Sequence, residues 1–593
     1  MERKKAPEKL KWDLKHIYQS IDELLVDFKK LEQNIEKYAN FKGKLGKKDE
    51  ILSYFYFNSE FECMLEKVNS YIMLSHDIDT KNNVFHELNE KLNILLANLS
   101  AKTAFIAPEL ASLSDEYFQQ LLLDDTFRDY EYEIKSILDN RKFVLSEKEE
   151  TALSIITKFA NGFSEVYESL TQSDFKFKPV IVDGKMEILT QSTYSKFIES
   201  KDALVRKQAY NNLYEVFNQF SKTIAFNYIN FAKMVSSDLE LRGQKSVFDA
   251  MFYSKHIPEE LFEKLVLNVN KHLELEQKYF QLIKSSLKLD NFGFQDIYQT
   301  LATNYDEKWS IEEQKEIVFN ALSLLGTDYQ NNLKTAFDNN WIDFCADIDK
   351  KSGGYMLGVY KVHPYILLND NGGYDSLSTL AHELGHALHT YYSDKSQPYA
   401  KHSYETFIAE IASTVNEILL NKYLYKNAKS RNEKLFYVSH YLQTFKGTVF
   451  RQVMFAEFEH YVYKKVEHNE ALSPDLIDSK YDELLKNHFG DIVPVDNNII
   501  HEWTRIPHFY TPYYVYQYAT SFISAVYIAN KIIENDIDMI ANYKNMLKSG
   551  CDGYPLDILK KANIDLMNDS IYEYVFNDFD DALKLAEELI KSN

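Results

Sequence analysis

The chain has 593 residues, 45% of them hydrophobic, and a formal charge of -22, so it can bury a large core while its field repels nucleic acid and anionic membranes. Only 17 Gly and 11 Pro argue against flexible linkers between beads and against a turn-rich β fold. Cys63, Cys345 and Cys551 are odd in number and contain no Cys-x-x-Cys pair, so they indicate neither a disulfide framework nor a thiolate metal site.

The charged opening Met1-Glu-Arg-Lys-Lys is not followed by an apolar run. No secretory signal is expected, and the expected location is cytoplasmic. From residue 8 the spacing of apolar positions predicts amphipathic helices over 21–38, 50–74 and 82–99. The apolar segment that continues to residue 113 carries Lys102 and Glu109 and is too interrupted to span a bilayer. Helical pattern continues over 114–163, with a polar break at Asn140-Arg141-Lys142. The period then changes. Residues 177–189 alternate around Asp183-Gly184, a hairpin signal. A boundary is expected near it, between a helical N-terminal lobe (1–190) and a catalytic lobe (191–593).

Helical pattern resumes over 192–288, broken at Arg242-Gly243-Gln244 and Ile257-Pro258, and again over 311–339. Residues 353–360 and 363–369 then read as extended segments leading directly into Leu380-Ala-His382-Glu383-Leu-Gly-His386-Ala-Leu-His389. His-Glu-x-x-His on a helix sets two imidazoles one turn apart, where they can share a zinc ion. Leu377, Leu380, Leu384, Ala387, Leu388 and Tyr391 form the opposite, apolar stripe. Asp375 or Ser376, after Asn371-Gly372-Gly373, is the expected helix cap.

A third ligand is needed. His389 and Tyr392 stand where a metzincin requires Gly and His, and His389 lies about 10 Å along the axis from His382. His389 therefore stays near the site but outside the ligand set. The next helix offers Glu410, Ser413, Thr414, Glu417 and Asn421 on one face and Ile408, Ile411, Val415 and Leu419 on the other. Two histidines and Glu410 leave a fourth position for water, as a catalytic zinc requires, with Glu417 either behind the ligands or on a solvated face. Glu383 sits about 100° round the helix from His382, beside the metal, as a general base would.

These residues carry a resemblance. His382-Glu-Leu-Gly-His386, with Glu410 following in Phe-Ile-Ala-Glu-Ile-Ala-Ser-Thr-Val-Asn-Glu417, is similar to the thimet oligopeptidase family, in its oligoendopeptidase F branch. Trp12-Asp13-Leu14 and His508-Phe-Tyr-Thr-Pro-Tyr513-Tyr514 extend the likeness over nearly the whole chain. The family implies that a histidine and tyrosines of this last stretch reach the scissile carbonyl. Among tyrosines 510, 513, 514, 516 and 518, the resemblance points to His508 and Tyr513, and less securely to Tyr516. It also implies a short sheet beside the cleft whose edge pairs with the substrate backbone, matched here by Gly353, Gly354 and Tyr355. Thr511 and Pro512 read as the cap and first residue of a long helix over 512–533.

The expected fold is all-α, with a small β-sheet beside the histidine helix and two helical lobes enclosing a substrate channel. The expected activity is zinc-dependent cleavage of internal bonds in short, unfolded peptides, with one Zn2+ per chain. No nucleic-acid, membrane or obligate protein partner is expected. A helical metallocarboxypeptidase, or a helical peptide-binding scaffold without catalysis, are the alternatives.

Overall fold

Good helix formers at 3.6-residue spacing, with few glycines, make a chain that is helical almost throughout. The computed structural model describes residues 2–156, 162–289, 291–302, 305 and 307–591; part of the helical pattern over 114–163 thus lies outside the described residues. Near the N-terminus, α1 (Ile21–Lys37) buries Leu24, Phe28, Leu31 and Ile35 and starts at Ser20, whose hydroxyl accepts from the Glu23 amide. It packs with α2 (Lys48–Asp77) and α3 (Asn83–Thr103).

One helical stretch among the described residues, Asn83–Ala111, is long and apolar enough to cross a membrane by length and composition. Here it breaks after Thr103 and turns Phe85, Leu88, Leu92 and Leu95 into the N-terminal core.

The chain next forms the hairpin β1 (Val180–Val182) and β2 (Lys185–Glu187), with Val182 paired to Lys185. Asp183 and Gly184 both take positive φ, 49° and 75°, the geometry that matches a two-residue turn to strand twist. Val180, with Tyr167, Phe175 and Leu189, packs in the same core as α4 (Ala203–Arg242) and the later helices.

A sheet of three strands separates two hydrophobic cores. It comprises β3 (Ile342–Cys345), β4 (Tyr355–Leu357) and β5 (Tyr365–Asp370), in the order β3-β5-β4, with β3 parallel and β4 antiparallel to β5. Successive residues of β5 face opposite sides: Tyr365 and Leu367 join the N-terminal core that includes Trp12, whereas Ile366 and Leu368 join the larger one. The strand β3 has no counterpart in the sequence analysis; a four-residue run buried throughout shows neither period.

β5 leads into α5 (Tyr374–Ser396), which packs on α6 (Thr406–Asn427). The expected cap is corrected. Asp375 and Ser376 lie inside the first turn, and Asn371 organises the start, its Oδ1 accepting from the Gly373 amide and the Ser376 hydroxyl. Beyond, α7 (Arg431–Phe445) runs through a wide π turn at Lys446–Phe450 into α8 (Arg451–Glu467). Helix α9 spans Tyr516–Ile533, starting four residues later than the sequence predicts.

Candidate active site

The site is built where α5 crosses α6. A Cβ on Gly385 would stand 2.5 Å from both the Ala412 carbonyl oxygen and the Ser413 Cα. Only glycine permits this approach, and it brings the histidine face of α5 against the carboxylate face of α6.

His382, His386 and Glu410 meet there. The two Nε2 atoms are 3.1 Å apart, and Glu410 Oε2 lies 3.6 Å from His382 Nε2 and 3.5 Å from His386 Nε2. A tetrahedral metal with bonds of about 2.0–2.1 Å needs ligand atoms roughly 3.3–3.4 Å apart, so this triangle fits a zinc ion. Among the described residues it is also the one group of three or more His, Cys, Asp or Glu that could hold a metal. Glu417 Oε1 is 2.5 Å from His382 Nδ1, the carboxylate–histidine arrangement that fixes the tautomer and ring plane of a ligand.

The electrostatics agree with a cation site. Burial disfavours a charge on His382, yet the Glu417 hydrogen bond and the charges of Glu417, Glu383 and Glu410 raise its pKa to about 9. The field that would hold a proton on this imidazole is the field that would hold a divalent cation. Burial opposes ionisation of Glu410, but the hydrogen bond and charge of His386, the charge of His382 and the Ser413 hydroxyl bring it down to about 2. Glu383 is buried beside the ligands, and burial raises its carboxyl pKa. Such a carboxylate is poised to take up a proton.

A cavity of about 480 Å3 opens over this cluster, lined by His382, Glu410, Glu417, Asp375, His440 and Tyr518 among others. Tyr518 lines the cavity, and His508 and Tyr514 pack against its ring. The His508 ring lies parallel to that of Tyr514 (centroids 5.7 Å apart) and edge-on to that of Tyr518 (6.2 Å), and the two tyrosine rings meet at 5.3 Å. Burial, then the Tyr514 hydroxyl and the Glu410 charge, raise the pKa of Tyr518, so its hydroxyl stays a proton donor.

Tyr513 and Tyr516, which the sequence favoured, lie elsewhere. Both are fully buried. Tyr513 packs between Phe248, Phe262 and Tyr463 with its hydroxyl 3.0 Å from His460 Nδ1, and Tyr516 lies against Phe248, Phe252 and Phe262. The reason is the backbone: Tyr513 takes φ 52°, which stops a helix from starting at Pro512. Tyr514 precedes α9 and Tyr518 lies in its first turn, so no helical period in the sequence marks the pair.

His389 also faces away from the ligands. Its ring is stacked on Tyr404 at 3.7 Å, neither nitrogen has a hydrogen-bond partner, and burial, then the charge of His386, depresses its pKa to about 3. It is a neutral core histidine. Gly353 and Gly354 lead into β4, an edge strand of the sheet, and the Tyr355 hydroxyl donates to Asp77 Oδ2 at 2.7 Å, tying this edge to α2.

The chain resembles known proteins over nearly its whole length. A model of peptidase family M3 matches residues 196–576, and one described as oligopeptidase F matches residues 109–177. Oligopeptidase PepF of Bacillus subtilis is 34% identical over 98% of this chain and 87% of its own length. Group B oligopeptidase PepB of Streptococcus agalactiae is 33% identical over 99% of this chain and 98% of its own. The crystal structure of oligoendopeptidase-F from Enterococcus faecium, 29% identical, matches with a TM-score of 0.76 over 96% of this chain and 99% of that one. Family models, end-to-end relatives and a shared fold converge: the chain belongs to peptidase family M3, in its oligoendopeptidase F branch, and is a zinc metalloendopeptidase acting on oligopeptides.

Proposed function

We propose that one zinc ion per chain is held by His382, His386 and Glu410, with Glu417 orienting His382, and that this centre hydrolyses internal bonds of short peptides. The observation that carries the reading is the 3.1–3.6 Å triangle of donor atoms with Glu417 behind it and Glu383 beside it. When bound, the metal supplies a Lewis acid for the scissile carbonyl and lowers the pKa of a water. Glu383 accepts the proton of the attacking water and passes it to the leaving amine. Tyr518 and His508 donate hydrogen bonds to the oxyanion as it develops, and Tyr514 holds the His508 ring. The free edge of β4, with Gly353 and Gly354 before it, pairs with the substrate backbone irrespective of side chain.

The N-terminal lobe (1–190) and the catalytic lobe (191–593) enclose the peptide, although the segment around the hairpin packs in the larger core, and the chain works in the cytoplasm without an obligate protein partner. All three cysteines are free, which suits a reducing compartment. The carboxypeptidase and scaffold alternatives are not favoured by the family assignment.

The test combines two measurements. Metal content by mass spectrometry should give one zinc per chain, and an N- and C-blocked peptide should yield two internal fragments. Cleavage confined to peptides with a free C-terminus would overturn the endopeptidase reading.

A further inference from the structure

Glu459, on α8, is fully buried and takes no part in the chemistry above. Its Oε1 accepts from the backbone N–H of Tyr513 at 2.8 Å, while its Oε2 has no hydrogen-bond partner. The buried hydroxyls of Tyr463 and Tyr516 also lack partners. Burial raises the Glu459 carboxyl well above the usual carboxylate range, against the Tyr513 hydrogen bond that lowers it, and its Oε1 accepts that one hydrogen bond.

The residue it holds is unusual. A bulky side chain at positive φ is an outlier, and such a conformation persists only where its surroundings over-determine it. Tyr513, at φ 52°, is fixed three ways: its amide by Glu459, its hydroxyl by His460, and its ring by Phe248, Phe262 and Tyr463. Glu459, His460 and Tyr463 all belong to α8. Immediately after this turn the chain reverses the side presented: Tyr514 packs against the rings of His508 and Tyr518, and Tyr518 lines the cavity.

We propose that Glu459 is a positioning residue. By holding the Tyr513 amide it sets the turn that directs Tyr514 and Tyr518 toward the metal ligands, without touching substrate. The proposal rests on the reading of Tyr518 as an oxyanion donor, and its test separates the two.

Glu459→Gln keeps an oxygen acceptor of the same reach for the Tyr513 amide; its kcat should stay within about threefold of wild type. Glu459→Leu removes the acceptor and lets the turn relax. Because displacements near 1 Å cost up to about a hundredfold, its kcat should fall by on the order of tenfold or more, with KM and zinc content unchanged. In a Tyr518→Phe background, Glu459→Leu should cost clearly less kcat than in wild type, since part of its effect runs through that tyrosine. An equal loss in both backgrounds, wild-type kcat in Glu459→Leu, or no rescue by glutamine would each overturn the proposal. Wild-type kcat in Tyr518→Phe alone would instead overturn the reading beneath it. Should Glu459→Leu not fold, Glu459→Asp withdraws the acceptor by one methylene and is subject to the same comparisons.

Discussion

Gly385→Ala is the sharpest perturbation of the site that touches no ligand. The new Cβ would lie 2.5 Å from the Ala412 oxygen and the Ser413 Cα and 2.7 Å from the Ala412 carbonyl carbon. These are backbone atoms of α6 and cannot rotate away. Ordinary contact between such atoms is about 3.5–4.0 Å, so α5 and α6 must part by roughly 1 Å. Alanine gains about 1 kcal/mol over glycine in a helix interior, while overpacking costs typically 1–3 kcal/mol; the net change in stability is small. The metal site has no such compensation. Glu410 lies one turn before Ser413, and the 3.5 and 3.6 Å edges of the triangle would widen with the helices. Loss of partners behind a ligand already costs about 10–100-fold in metal affinity, and moving Glu410 itself should cost at least that. Competition with a chelator measures the affinity, and thermal unfolding of the metal-free protein measures the fold. Zinc affinity within twofold of wild type would refute the argument that this crossing sets the site.

Glu383→Gln should keep one zinc per chain and lose about 10²–10⁴-fold in activity, the contribution of a general base; loss of metal would make it a ligand. Glu410→Ala should abolish tight zinc binding and Glu417→Ala should weaken it by about 10–100-fold, so the reverse order, read by chelator titration, would exchange their roles. Tyr513→Phe loses only its contact with His460 and should turn over within a few-fold of wild type at normal zinc content; a hundredfold drop in kcat would return the oxyanion role to Tyr513. His389→Phe probes pH. Burial, then the His386 charge, depresses the His389 pKa from its ordinary 6.5 to about 3, so the folded state binds fewer protons than the unfolded one and stability falls as pH drops from about 6.5 toward 3. With metal removed from both proteins, the variant should lose less unfolding temperature between pH 7.5 and 5 than wild type; equal losses would refute the assignment of His389 as a buried neutral ring.

The candidate ligand set was legible in the sequence because it depends on local geometry. His382, Glu383 and His386 are fixed by one helical turn, and Glu410 and Glu417 share a face opposite Ile408, Ile411 and Val415. Helix period and apolar patterning place these groups before any packing is known. The hairpin at Asp183-Gly184 was legible for the same kind of reason, since positive φ at both residues is a property of the turn itself. Other features come from contacts distant in sequence. β3 is a strand because it pairs with β5 more than 20 residues on, and its four buried residues carry no pattern of their own. Asn371, outside α5, organises the helix start because the loop folds it back on Gly373 and Ser376. Which tyrosines become core was likewise undetermined locally: the family resemblance pointed to Tyr513 and, less securely, Tyr516, both of which are buried, while Tyr518 lines the cavity. Glu459 on α8, 54 residues before Tyr513, accepts from the amide of this left-handed residue, and under the positioning proposal that tertiary hydrogen bond decides which side of the stretch becomes core and which becomes site.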